Sequence, residues 1–326
     1  MLRYATAQPF AKIEDGKLAY YFFTPSAGIA PQFVFAARTI KSVDSKAGVV
    51  SRHEDRVYVD RLSPSTSVAI GVQTRAGKTV HIVLLSQEQA EHSWKVLINQ
   101  QEHMFITPAD VFVDGENVHL RSRDVNALSF SVFPEAVEHL ACTVPLQRSG
   151  KDGVFVSYTA SVEARQVAVS VEKARDATPA SPVKMGKSLE SRPAPVATAP
   201  DDADFNKAGV WRLTLPKGVL EGLSDIFLEI HYAGDVARLY EGTRLLDDNF
   251  FNGTTWEVGL KRFAPEVSAE GVELKVLPLR KDAPIYLPKA AWLEFKGRAE
   301  IAEVKTVTVS PEYEVRLTIG REIPSH

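Results

Sequence analysis

A single cysteine, Cys142, is the scarcest residue in this 326-residue sequence. One thiol excludes an intrachain disulfide and a cysteine-ligated zinc cluster. Charge of one sign is also lacking: 38 Lys and Arg stand against 41 Asp and Glu, for a net of −3. That balance leaves no electrostatic footprint for nucleic acid or an anionic membrane surface, and neither partner is expected. No apolar run approaches the roughly 18 residues of a membrane helix. The opening MLRYATAQPFAKI has no basic stretch followed by an apolar one, the pattern of a secretory signal. Strand-like sequence begins almost at once, which fits either a segment of a longer parent or a short protein with its own initiator Met. The compartment stays open between the cytoplasm and a secreted parent.

Catalytic signatures are missing too. The eight histidines form no HExxH pair and no i, i+4 pair, and neither a GxSxG elbow nor a Walker phosphate loop occurs. His81, His119 and His231 lie in strand-like runs and read as sheet residues. Cys142 reads as a small buried hydrophobe. Asp201, Asp202 and Asp204 could offer oxygen ligands to a structural Ca²⁺, but they lack EF-hand spacing. Solvation of a loop is their expected use, and no cofactor is expected.

What is present is a succession of short β-branched and aromatic runs with period-two alternation, separated by turn residues. Val68–Thr74 and Thr79–Leu85 flank Arg75–Lys78 as a hairpin. Val111–Val113 and Val118–Leu120 flank Asp114-Gly115, a two-residue turn signal. Many short strands at close spacing predict an all-β fold of two β-sandwich or jelly-roll domains. One short helix is expected in the first. There Ser86 and Gln89 have capping-box spacing, and Ala90, Trp94 and Leu97 share a helical face.

From Ala174 to Asp204 the sequence holds five prolines, seven alanines and no aromatic residue. Such a stretch buries little surface and builds no regular element. It reads either as a linker between domains or as an irregular excursion at about 174–204 inside the second domain. The excursion is preferred, because Val154–Val171 can pair with strands after Phe205, and it places the domains at 1–145 and 146–326.

The most informative stretch is Gly234-Asp235-Val236-Ala237-Arg238-Leu239-Tyr240, a turn at Glu241–Thr243, and then Leu245 to Glu257. It predicts a hairpin followed by a polar and aromatic loop. Asp235 and Arg238 are placed to form an ion pair. Phe251 and Trp256 could stack on the C–H face of a pyranose while Asp247, Asp248, Asn249 and Asn252 bond its hydroxyls. Structural uses compete: Asn252-Gly253 is a turn dipeptide, and aromatics in β proteins usually pack. A second candidate surface lies among Pro278, Pro284 and Pro288, with Tyr286 and Trp292. It is either sugar-facing or packed on another domain.

The run GDVARLY…LLDDNFFNGTTWEVGLKRF, with VLPLRKDAPIYLP after it, resembles the C-terminal jelly-roll region of bacterial β-galactosidases of glycoside hydrolase family 35. The resemblance spans about Phe205 to Tyr313, with a weaker one over Leu2–Phe23 and Thr79–Ser122. It implies non-catalytic, galactose-binding-like β domains. In that family a separate (β/α)8 barrel supplies two catalytic glutamates, and roughly 250 residues of barrel have no place here. No catalytic residue can therefore be carried over.

The expectation is a carbohydrate-facing accessory region of a β-galactosidase-like enzyme. Its partners would be a galactoside-containing glycan and an upstream catalytic barrel. An autonomous carbohydrate-binding module is one alternative. A glycoside hydrolase of unfamiliar type, with carboxylates drawn from both domains, is the other.

Overall fold

The computed structural model describes residues 1–135, 140–188, 191, 194–264 and 271–320. The chain is all-β, and among the described residues the one α-helix spans Gln87–Glu91. It divides into two compact units, Met1–Ala164 with Glu314–His326, and Arg165–Tyr313. The division falls later than Pro145 because Leu146–Asp152 pairs with Phe155–Ala160, which pairs in turn with Phe130–Phe133 of the first unit. Ser170–Arg175, by contrast, pairs with Gly209–Thr214 in the second unit.

The first unit is layered around a five-stranded sheet of Ala7–Asp15, Leu18–Pro25, Thr79–Leu84, Ser65–Thr74 and Ile40–Asp44, in that order. Alternation decides which side each residue faces. Phe23, Ile70, Val72, Ile82 and Leu84 bury one face against Phe33, Phe35, Val57 and Val59 of a four-stranded sheet. Phe22 and Val83 point the other way, onto Met104, Phe133 and Phe155 of a second five-stranded sheet.

The expected hairpin across Arg75–Lys78 is present. The other expected hairpin also forms, one residue displaced. Asp114 pairs with Asn117, so Gly115 and Glu116 make the turn, with Gly115 at φ +60°. A glycine at the first central position is what a type II′ turn requires.

The capping box is as expected. Ser86 Oγ accepts from Gln89 N at 3.1 Å, and Gln89 Oε1 accepts from Ser86 N at 3.0 Å. The helix stops sooner than the spacing of Trp94 and Leu97 suggests, and Ser93–Ile98 is a strand paired with Gln101–Ile106. Extending this edge strand satisfies six residues in a ladder, and Leu97 consequently points outward, 61% exposed.

Returning chain closes the first unit. The Leu140–Cys142 strand pairs with Leu317–Ile319, and Thr318 Oγ1 donates to Asn117 Oδ1 at 2.7 Å. Glu314 accepts from Arg121 Nε at 2.6 Å and pairs with His119 Nδ1 at 2.9 Å. Cys142 is only half-buried, and burial still pushes its thiol up.

In the second unit Ser170–Arg175, Gly209–Thr214, Val272–Val276, Val236–Glu241 and Arg244–Phe250 form one sheet in that order. Asp225–Ala233 lies between Trp256–Gly259 and the first part of Glu303–Ile319, and buries alternate residues Ile226, Leu228, Ile230 and Tyr232. The Pro/Ala-rich stretch is tied down as an excursion on this unit. Thr178 N donates to Lys207 O, Ala180 N to the Glu300 carboxylate, and Met185 bridges Ala197.

Candidate functional site

The hairpin Val236–Glu241 and Arg244–Phe250 turns at Gly242, whose φ of +55° suits glycine. Its second strand continues through Phe250, so Asp247, Asp248 and Asn249 are strand residues rather than the loop residues their polarity suggested. Asp247 Oδ2 accepts from Arg262 Nη2 at 2.7 Å, while its Oδ1 accepts from Asp248 N at 3.1 Å. The Tyr232 hydroxyl donates to both the carbonyl and the side-chain oxygen of Asn249, each at 2.8 Å.

The two aromatics expected to meet sugar are buried. Phe251 is 8% exposed and Trp256 6%, and both rings lie edge-on to Tyr232, with centroids 5.7 and 6.4 Å away. Burial, above all, pushes the Tyr232 phenol far upward. Of the six candidates only Asp248 and Asn252 are exposed. Asn252 Oδ1 is occupied by Thr254, accepting from its N at 2.9 Å and its Oγ1 at 2.7 Å. The expected polar and aromatic loop is thus a tight Asx turn over a buried aromatic cluster.

Arg238 also departs from expectation. Its Nη1 donates to Asp202 at 2.6 Å, not to Asp235, and its guanidinium lies 4.1 Å from the Phe205 ring centre. Lys184 holds both Asp201 and Asp204, and Asp204 Oδ2 caps the Asp201 amide at 2.8 Å. The acidic cluster is therefore committed to cations of the chain. Among the described residues no group of three or more His, Cys, Asp or Glu could hold a metal ion.

The second candidate surface is arranged in the opposite way. Leu279–Arg280 pairs with Glu300–Ile301, and Lys281 N donates to Ala299 O at 2.9 Å, which pins the base of a long loop. Loops of this length without regular strands or helices are uncommon in compact domains and often carry function. The Arg280 fork donates to both oxygens of Asp282, at 2.9 and 2.8 Å. A 3₁₀ turn at Lys289–Ala291 then presents Trp292, whose indole N–H donates to Leu287 O at 2.9 Å. Tyr286 is 90% exposed and Trp292 67%. With Arg280, Lys281, Ile285 and Phe295 they line an open groove of about 370 Å³.

One contact joins the two surfaces. A Cβ on Gly253, at φ +85°, would sit 2.5 Å from the Cβ of buried Ala291. The Asn252-Gly253 turn therefore backs the segment that presents Trp292. Sequence reasoning named Tyr286 and Trp292 from their proline-rich setting, but not Lys281 or Phe295. Their only signal is proximity along the chain. No protein-family model matches this sequence, and no curated protein matches it.

Proposed function

We propose that this chain is a non-catalytic, carbohydrate-facing accessory region of a β-galactosidase-type glycoside hydrolase, which meets glycan at the groove of Tyr286 and Trp292. The exposure of those two rings carries the reading. Large aromatics gain free energy by leaving water, so two of them left in one groove mark an interaction surface. An exposed indole and phenol offer flat faces to the apolar C–H side of a pyranose. Lys281, which lines the same groove, can bond its hydroxyls. The resemblance of Phe205–Tyr313 to family 35 jelly rolls supports galactose-containing glycans as the class.

Electrophoresis through gels containing soluble galactan tests this. Retardation is expected for the wild type and is expected to vanish for Trp292→Ala and Tyr286→Ala, with melting temperatures unchanged. Unaltered mobility in galactan and in other plant polysaccharides sinks the reading. Release of nitrophenol from nitrophenyl β-galactoside by the chain alone would favour an unfamiliar hydrolase instead. The groove is built wholly from second-unit residues, which also suits an autonomous binding module. The two readings part on whether a (β/α)8 barrel precedes Met1 in the parent.

A further inference from the structure

The middle sheet of the first unit carries a polar row across four adjacent strands. Tyr20 pairs with His81, His81 with Gly71, and Gly71 with Asp44. Directly paired residues project to one face of a sheet, and alternation puts this row on the face of Phe22 and Val83. At the Tyr20 end the covering layer is close, with the Phe133 ring at 4.5 Å. Beyond His81, Gly71 supplies no side chain and Asp44 supplies a charge. An open groove of about 390 Å³ lies there, lined by Asp44, Lys46, Gly71, Gln73, Thr79 and His81.

Gly71 forms the floor. A Cβ at this position would lie 2.7 Å from Asp44 Oδ1, so the carboxylate leans over the glycine towards His81. On the far side the imidazole stands edge-on to Tyr20, with centroids 4.9 Å apart. Its Nδ1 is buried without a hydrogen-bond partner. Burial lowers the His81 pKa against the opposing pull of Asp44, which favours a neutral ring that can both donate and accept. Asp44 and Lys46 offset each other in charge, and no exposed aromatic plate lines the groove.

We propose that this groove is a binding subsite for a small, neutral, polyhydroxylated ligand, a single sugar ring or a linear polyol. Asp44 accepts hydrogen bonds from neighbouring hydroxyls, His81 meets another, and Gly71, having no Cβ, leaves room for the Asp44 carboxylate to lie across the groove. The proposal is independent of the Tyr286–Trp292 groove, because it uses first-unit residues alone.

The test follows the histidine side-chain signals of the full chain by long-range ¹⁵N–¹H correlation, in a Trp292→Ala background that removes the other groove. Galactose, xylose and sorbitol are titrated separately, with glycine as a zwitterionic control. Saturable movement of the His81 signals by a sugar or by sorbitol is expected. Asp44→Asn is expected to weaken it about tenfold to a hundredfold, the loss of one hydrogen bond to a charged group. Gly71→Ala is expected to abolish it by displacing the Asp44 carboxylate. If that variant misfolds, Asp44→Asn carries the test alone. No saturable movement with any sugar or sorbitol overturns the proposal, as does an equal response in Asp44→Asn or a stronger response to glycine.

Discussion

Two stretches of the second unit share a composition, aromatic rings beside Asp and proline or glycine turns, yet treat their rings oppositely. Between Asp247 and Trp256, Phe251 and Trp256 turn inward onto Tyr232, although Phe250 stays exposed. Between Ala283 and Trp292 they turn out into water. The difference lies in what surrounds each stretch. The first is locked between the Val236–Glu241 strand and the Asp225–Ala233 strand, so alternation forces Trp256 inward. The second is a loop held at its base and backed at Ala291 by the Gly253 turn, and among the described residues no strand pairs along it. Composition marks both as candidates, and the ladder of neighbouring strands separates them.

The largest expected effect belongs to the inward stretch. Trp256→Ala should cost about 3–5 kcal/mol in a denaturant titration, the usual loss for truncating a buried aromatic. A cost near zero would erase the contrast. Next is Gly253→Ala, which places a side chain at φ +85° against Ala291. Strain of about 1–2 kcal/mol is expected from the left-handed backbone alone. Galactan retention should weaken with it, although Gly253 is not in the groove, because Ala291 precedes Trp292. Retained affinity would detach the two stretches from one another.

Acidic groups give the contrast a pH dependence. Burial raises the Asp235 pKa beside the inward stretch, where its carbonyl accepts from Phe251 N. Its folded pKa lies above the unfolded one, so its favourable contribution is present below the ordinary carboxylate range. That contribution is lost as pH rises through the raised value. Asp235→Asn should therefore raise the melting temperature at neutral pH and change little in acid. Asp282, in the outward stretch, is shifted the other way by the Arg280 fork. Its contribution would be present above the ordinary range and lost on acidification. Being fully exposed, it should give no measurable change in melting temperature. A larger pH effect from Asp282→Asn than from Asp235→Asn would reverse the comparison. Trp292→Ala should likewise change stability little, within about 0.5 kcal/mol as for an ordinary surface site.

The strands were legible because their signals are local. Alternation and turn residues suffice for Val68–Leu85, and a capping box for Ser86–Gln89. Trp94 and Leu97 misled because their spacing also fits a helical face. Only the ladder with Gln101–Ile106 decides for a strand. Non-local pairing was not legible. Nothing near Glu314 signals that it returns to His119 and Arg121, and nothing near Tyr20 signals a parallel partner in His81. For the same reason Trp256 and Trp292 look alike in the sequence.

The most direct measurement is the indole N–H spectrum of the ¹⁵N-labelled chain, in which Trp94, Trp211, Trp256 and Trp292 each contribute one signal. Titration with galacto-oligosaccharide should move the Trp292 signal saturably and leave Trp256 in place. Movement of Trp256 with Trp292 unmoved, or no movement at all, would contradict the account.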